Sequence, residues 1–247
     1  MADEAQQWWE THAGNYQKTC RIPVDVLYGV GSPNEATLQL IGPVAGKRVL
    51  EIGCGGAQCA VAFAQQGARV TAVDLAAAAI EFGRQLAAQH GVSIEFHQRD
   101  IADLSPIANT SQDVVFSANA FGYVDDLLAC FREVRRVLTP GGLFVWSDGH
   151  PFGHCVEEGM QRLTRSYHAT GKSVVGVETG CAFANHHRTI SDLVNLHAQA
   201  GLVIDRMLEP DSRLRYPADP WYGLWGNTPD RLALIPGTII FRSRKPC

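Results

Sequence analysis

The sequence predicts an α/β fold, a doubly wound and mostly parallel sheet, and two observations carry that expectation. From residue 47 to 143, compact apolar runs alternate with stretches of helical periodicity. Such alternation builds right-handed crossovers onto a parallel sheet. Toward the end of the chain, two strand-like runs, 202–210 and 234–244, follow one another without a helix between them. That arrangement predicts an antiparallel return at one sheet edge.

Each element has its own signal. KRVLEIG at 47–53 is an apolar run ending in glycine, as expected of a strand buried on both faces. GCGG follows as a tight loop, and AQCAVAFAQQG reads as a helix closed by Gly67. ARVTAVD is a second strand. The alanine-rich stretch from Ala76 is a helix that stops at Gly91. SIEFHQRD is a third strand, with Ile94 and Phe96 alternating, and DVVFSANA a fourth. DDLLACFREVRRVL sets Leu127, Leu128, Phe131, Val134 and Leu138 on one helical face, with Asp125 as its expected cap and TPGG as its end. LFVWSD is the fifth strand. HRTISDLVNLHAQAG is a late helix whose apolar stripe includes His197, which predicts a packed core histidine. Residues 150–186 show no clear period and read as an insertion over the carboxyl ends of the strands. The chain is expected to be a single domain over 1–247, with a helical cap at 1–30.

Composition bounds the partners. The chain has 247 residues, 46% of them hydrophobic and 19% charged, with a formal net charge of −4. This is a globular composition, and its acidic balance argues against a long nucleic acid as partner. No apolar run is long enough to span a bilayer, so no membrane partner is expected. The start, MADEAQQWWE, lacks the basic and apolar character of a secretory signal. Seven cysteines without a CxxC pair read as reduced thiols, so a cytoplasmic location is expected.

In a sheet of this kind ligands sit beyond the carboxyl ends of the strands. Three acidic residues fall there: Glu51 beside the glycine loop, Asp74 ending the second strand and Asp100 ending the third. Gly53 and Gly55 let the backbone turn sharply next to a ligand. The dinucleotide pattern G-x-G-x-x-G fails, because Gln58 occupies its third glycine position. Asp74 has two acceptor oxygens for the two hydroxyls of a ribose, and Asp100 could accept from an adenine amino group. Either carboxylate alone could equally be a helix cap. The three together with the loop point to a nucleoside-bearing ligand.

These segments resemble a known family. VLEIGCGGAQCAVAFAQQGARVTAVDLA is similar to the first motif and following strand of class I S-adenosylmethionine-dependent methyltransferases. HQRDIADL, DVVFSANAFGYVDD and RVLTPGGLFV resemble their later segments, and HHRTISDLVNLHAQAGLVIDRMLEP resembles the ubiquinone/menaquinone-methyltransferase-like branch acting on small molecules. The resemblance implies a Rossmann-like, seven-stranded sheet with an antiparallel last strand and a lid insertion at 150–186. It implies S-adenosylmethionine as cofactor and S-adenosylhomocysteine as product. Gly53, Cys54 and Gly55 would line the methionyl part, with Glu51 near its ammonium. Asp74 would hold the ribose and Leu75 pack on the adenine, which Asp100 and the Ile101 backbone would read. Ser117 and Ala118 would present backbone to the amine, and Tyr16, in WWETHAGNY, would close over the cofactor. Three departures stand out: Ala57 at a glycine position, Ala76 where a Ser or Thr often caps the next helix, and Gly122 where the branch often has His.

Subtypes can be separated by chemistry. SANAF lacks the proline pair that clamps a nucleic-acid base in amino-methyltransferases, and no Asp-Asn pair for Mg²⁺ is present, so neither nucleic acid nor metal is expected. A small-molecule acceptor remains, methylated on O, N or C. A base is needed only if the acceptor must lose a proton. His150, His154, His186 and His187 are the candidates, and position favours His150, just past the fifth strand. Trp8, Trp9, Tyr16, Tyr28, Phe152, Tyr167, Trp221, Tyr222 and Trp225 offer aromatic faces for a sulfonium or a planar acceptor, or an edge packing and oligomer contact. Arg162, Arg165, Arg213 and Arg215 could grip an acidic substrate or stay solvated. A homodimer remains open. Two other readings stay beside the methyltransferase: a cofactor-binding protein without catalysis and an NAD-dependent oxidoreductase.

Overall fold

The computed structural model describes residues 2–156, 162–175, 183–212, 220–221 and 227–247. The elements run in the order α1 (Ala2–Cys20), α2 (Glu35–Leu38), β1 (Arg48–Ile52), α3 (Gln58–Gln65), β2 (Arg69–Asp74), α4 (Ala77–Gln89), β3 (Ile94–Gln98) and β4 (Gln112–Ala118). They continue with α5 (Leu127–Val137), β5 (Leu138–Gly149), β6 (Gly171–Val175), β7 (Phe183–His187), α6 (Ile190–Gln199), β8 (Val203–Leu208), α7 (Pro229–Leu232) and β9 (Thr238–Arg244). Short 3₁₀ turns occupy Phe121–Tyr123 and Pro151–Cys155.

Seven strands form one sheet in the order β3-β2-β1-β4-β5-β9-β8. The first five are parallel, and β9 runs antiparallel between β5 and β8. The antiparallel return therefore inserts the last strand inside the edge and leaves β8 outermost. Chain order reverses between β1 and β4, which places a crevice at their carboxyl ends.

The pleat assigns alternate side chains to two cores. Leu50, Ile52, Phe144 and Trp146 pack on the α5 and α6 side, whereas Val49, Phe116 and Val145 pack with Phe63 of α3 on the other. Both faces are covered, so β1 is buried from Val49 to Ile52 and apolar there apart from Glu51. His197 lies fully inside the first core, as its stripe predicts. Its Nδ1–H donates to Leu193 O at 2.7 Å, and its Nε2 accepts from the Trp146 indole at 2.9 Å. Burial pushes its pKa down to about 4, which keeps the ring neutral.

Three local expectations change. Asp126, not Asp125, caps α5, accepting from the Ala129 N–H. TPGG does not separate α5 from a later strand, because β5 starts at Leu138 directly after the helix. The stretch 150–186 contains strand: β6 pairs antiparallel with β7, Lys172 facing His186. Its remaining residues 157–161 and 176–182 lie outside the described residues. Among the described residues, no helix is long and apolar enough to cross a membrane.

His197→Leu strands the Trp146 N–H in the core without its acceptor. It is expected to lower stability by about 1–3 kcal/mol in urea unfolding. An unchanged midpoint would show that this pair does not hold the core.

Candidate active site

The crevice holds a cavity of about 370 Å³. That volume lies in the range of small-molecule sites. Its floor is the loop after β1. Gly53 has φ +66, and a Cβ there would lie 2.3 Å from the Ala120 Cβ, so the close approach of the β4 loop requires glycine. Gly55 also has positive φ and has open space where its Cβ would stand. Ala57 keeps the left-handed turn with φ +61, at a cost of roughly 1–2 kcal/mol. The pattern thus tolerates alanine where the sequence departs from it.

Asp74 ties this floor to the next loop. Its Oδ2 accepts the Gly55 N–H at 2.7 Å and its Oδ1 the Ala76 N–H at 3.0 Å. Burial raises its pKa, opposed by these backbone donors. The missing cap at Ala76 is supplied from α1, where the Glu10 carboxylate accepts the Ala77 and Ala78 N–H groups at 2.6 and 3.0 Å. Asp100 stands on the cavity wall, its Oδ1 accepting the Ala102 N–H at 2.9 Å. Glu51 is buried beside the floor, and its Oε2 has no hydrogen-bond partner. Burial pushes its pKa up to about 8, helped by the charge of Asp74.

Helix α1 forms the roof. Trp9, Ala13, Tyr16 and Gln17 share one helical face and all reach the cavity. The Gln58 amide donates to Gln17 Oε1 at 2.5 Å, and the Tyr16 oxygen accepts from the Trp221 indole at 2.8 Å. The far wall is the loop after β4. Asp148 accepts the Gly122 N–H at 2.7 Å, and the Arg188 guanidinium donates to the carbonyls of Phe121, Val124 and Asp125. Burial pushes the Asp148 carboxyl up to about 6. This pinned loop presents Tyr123, Val124 and Asp125 to the cavity.

Of the residues singled out in the sequence, Tyr16, Glu51, Gly53, Cys54, Gly55, Asp74, Leu75, Asp100, Ile101 and Ala118 line this one cavity. Ser117 does not; its hydroxyl is fully buried in the sheet without a partner, and Asn119 and Ala120 take its place on the wall. His150 is also off the wall. It is 2% exposed, its Nε2–H donates to Glu209 Oε1 at 2.8 Å, and its Nδ1 accepts from the Phe152 N–H at 3.3 Å. Both of its nitrogens are thus engaged within the fold. His154 and His187 lie off the cavity wall with their rings tilted at 44° and 5.1 Å apart, and the His187 Nε2–H donates to Tyr167 O. His186 does line the cavity, with its Nδ1 3.6 Å from Asp125 Oδ1.

Of the aromatic candidates, Trp9, Tyr16 and Trp221 line the cavity, joined by Tyr123, which the sequence reasoning missed. Phe152 instead stacks on Tyr167 at 4.8 Å, Trp8 on His12 at 4.3 Å, and Tyr28 is buried with its hydroxyl donating to Glu35. Tyr222, Trp225, Arg213 and Arg215 lie outside the described residues. Arg162 and Arg165 are not on the wall.

The wall is acidic. Glu4, Glu51, Asp74, Asp100, Asp125 and Asp126 contribute carboxyl groups; Lys172 is the one Lys or Arg among the described lining residues, and Glu4 holds it at 2.5 Å. Such a wall suits a ligand that carries positive charge.

Burial of Glu51 has a sign that can be measured. Its carboxyl holds a proton in the folded protein up to about pH 8 but in an unfolded chain only to 4.5. Its contribution is therefore intact below pH 4.5 and is lost as pH rises toward 8. Above pH 8, Glu51→Gln should be more stable than the wild type in urea unfolding, by an amount on the order of 5 kcal/mol, with no difference below pH 4.5. A constant difference at all pH values would contradict the assignment.

Comparison with known proteins agrees with this geometry. A protein-family profile described as a methyltransferase domain matches residues 50–146. A ubiquinone biosynthesis O-methyltransferase of Xanthomonas oryzae pv. oryzae is 31% identical over 138 residues, 56% of this chain and 54% of the relative. The chain thus spans about half the length of the curated relatives it matches. A crystal structure of an S-adenosylmethionine dependent methyltransferase from Mesorhizobium loti superposes with a TM-score of 0.70 at 25% identity, covering 85% of this chain and 95% of the other. The [4+2]-cyclase SpnF shares the fold with a TM-score of 0.70 at 18% identity, covering 100% of this chain and 96% of its own.

Proposed function

We propose that the chain is a class I S-adenosylmethionine-dependent methyltransferase that transfers a methyl group to the O, N or C atom of a small-molecule acceptor, a reading supported by the methyltransferase-domain match over residues 50–146 and by the likeness to a solved S-adenosylmethionine dependent methyltransferase. The observation that carries the reading is the acidic crevice itself, with Glu51, Asp74 and Asp100 on the wall of a single cavity at the switch point of the sheet. S-adenosylmethionine supplies a sulfonium-bound methyl group together with an ammonium, a ribose and an adenine.

The residues fit that group. A carboxylate has about four acceptor positions, and Asp74 spends two of them on the Gly55 and Ala76 N–H groups, so the rest remain for ribose hydroxyls. Asp100 keeps an oxygen for the adenine amino group while Ala102 holds the other, with the Ile101 backbone beside it and Leu75 against the ring. Gly53, Cys54 and Gly55 line the methionyl chain. The unpartnered Oε2 of Glu51 is the acceptor for the ammonium, and a cation there draws its proton off. Ala118 and its neighbour Asn119 offer backbone at the same end; Ser117 acts only through its place in β4.

Catalysis then rests on alignment and exclusion of water. Holding the acceptor in line with the methyl group can account for roughly 7–11 kcal/mol of barrier. Tyr16 and Trp9 on α1 close the cavity from above, and the pinned loop 121–126 sets the acceptor's position from the side. The cysteines of the described residues are unpaired thiols, which supports a cytoplasmic site of action.

Calorimetry with S-adenosylhomocysteine tests the donor. Wild-type protein should bind it, and Asp74→Ala should weaken binding by about 1.5–3 kcal/mol, roughly tenfold to a hundredfold. Unchanged affinity removes the ribose assignment, and no binding removes the donor. The reaction is tested with a methyl-labelled donor and a protein-free metabolite extract, read by mass spectrometry. Because the fold also houses a [4+2]-cyclase, binding without any labelled product would favour a protein that holds the cofactor without transferring its methyl group.

A further inference from the structure

An acceptor that must lose a proton needs a group on the cavity wall to receive it, and His150 is not on that wall. Resting on the methyltransferase reading, we propose that His186 takes that proton, with Asp125 beside its Nδ1 as the positioning residue that orients the ring and faces the charge it gains.

The placement follows from the hairpin. β7 packs against the loop after β4 at Gly122, where a Cβ would stand 2.9 Å from the Asn185 side-chain oxygen. The bare glycine therefore admits Asn185, and the next residue, His186, arrives on the cavity wall. Asp125 is free to meet it because Asp126 has taken the cap of α5. Arg188, two residues after His186, donates to the Asp125 carbonyl at 2.9 Å and so fixes both partners. The Nδ1–Oδ1 separation of 3.6 Å is long for a hydrogen bond. Catalytic pairs often tighten only when the site is filled.

The charges around the ring come from every element packed on it. Lys172 is its cross-strand partner on β6, with its ammonium held by Glu4 of α1. Asp125 faces it from the loop after β4, and Arg188 follows it in the chain. Burial, Arg188 and Lys172 disfavour the imidazolium, while Asp125 favours it. The ring is thus neutral and ready to accept before the reaction.

In the step, the acceptor X–H gives its proton to Nε2, and the X lone pair forms the new bond to the methyl carbon. The carbon–sulfur bond breaks with both electrons staying on sulfur as a neutral thioether. The positive charge lost at sulfur reappears on the imidazolium beside Asp125, and the proton later leaves to water.

The test uses the full chain, the methyl-labelled donor and the metabolite extract. His186→Ala and His186→Gln should each slow label incorporation by roughly 10²–10⁴-fold. Their affinity for S-adenosylhomocysteine should stay at the wild-type value. Independently of turnover, NMR titration of the His186 ring should show a lower midpoint in Asp125→Asn, and the acid limb of the labelling rate should move to lower pH with it. Wild-type labelling rates in both His186 variants, or a midpoint that Asp125→Asn does not move, would overturn the proposal. Should the wild-type protein itself bind no S-adenosylhomocysteine or label nothing, the methyltransferase reading fails and this assignment falls with it.

Discussion

One carboxylate joins the two loops from which the site is built. Asp74 ends β2, yet it takes the N–H of Gly55 from the loop after β1 and the N–H of Ala76 from its own loop. The glycine floor and the start of α4 are therefore positioned by the same two oxygens. Removing them would free both loops at once. α1 is fastened to the same region by Glu10 on the α4 N-terminus and by Gln17 on Gln58. The roof is thus registered to the floor through polar contacts rather than through apolar packing alone.

Burial sets the charge state of this region. Glu51 and Asp74 share the crevice, and each is disfavoured as an anion by loss of water. Asp74 is compensated by backbone donors, whereas Glu51 keeps an oxygen without a partner. An unpaired buried carboxyl costs stability, and a cation placed beside it recovers part of that cost. Elsewhere on the wall Asp125, Lys172 and His186 mix both signs, and Trp9 meets Tyr123 edge-on.

The parallel core was legible because its signals are local. Apolar runs of strand length, glycine stops and acidic strand ends placed β1 to β5 and brought Glu51, Asp74 and Asp100 to one edge. Boundary chemistry was less so: Asp125 and Asp126 are adjacent and both able to cap, and only the backbone geometry chooses Asp126. The hairpin β6–β7 was not legible, because GKSVV and FANHH are too short and too mixed to show a period. The placement of the histidines was hidden for a related reason. His150 lies close to the strand end in sequence, but its side chain turns to Glu209, while His186 returns to the cavity through a tertiary contact at Gly122. Long-range caps such as Glu10 on α4 leave no pattern in neighbouring residues at all.

The central claim is that the adenosyl part of the donor lies in this crevice with its sugar on the β2 carboxylate. A crystal structure of the full chain with S-adenosylhomocysteine tests it most directly. The account predicts both ribose hydroxyls within hydrogen-bond distance of Asp74, with the adenine between Leu75 and Ile101. A ligand bound elsewhere, or one whose ribose points away from Asp74, would contradict it.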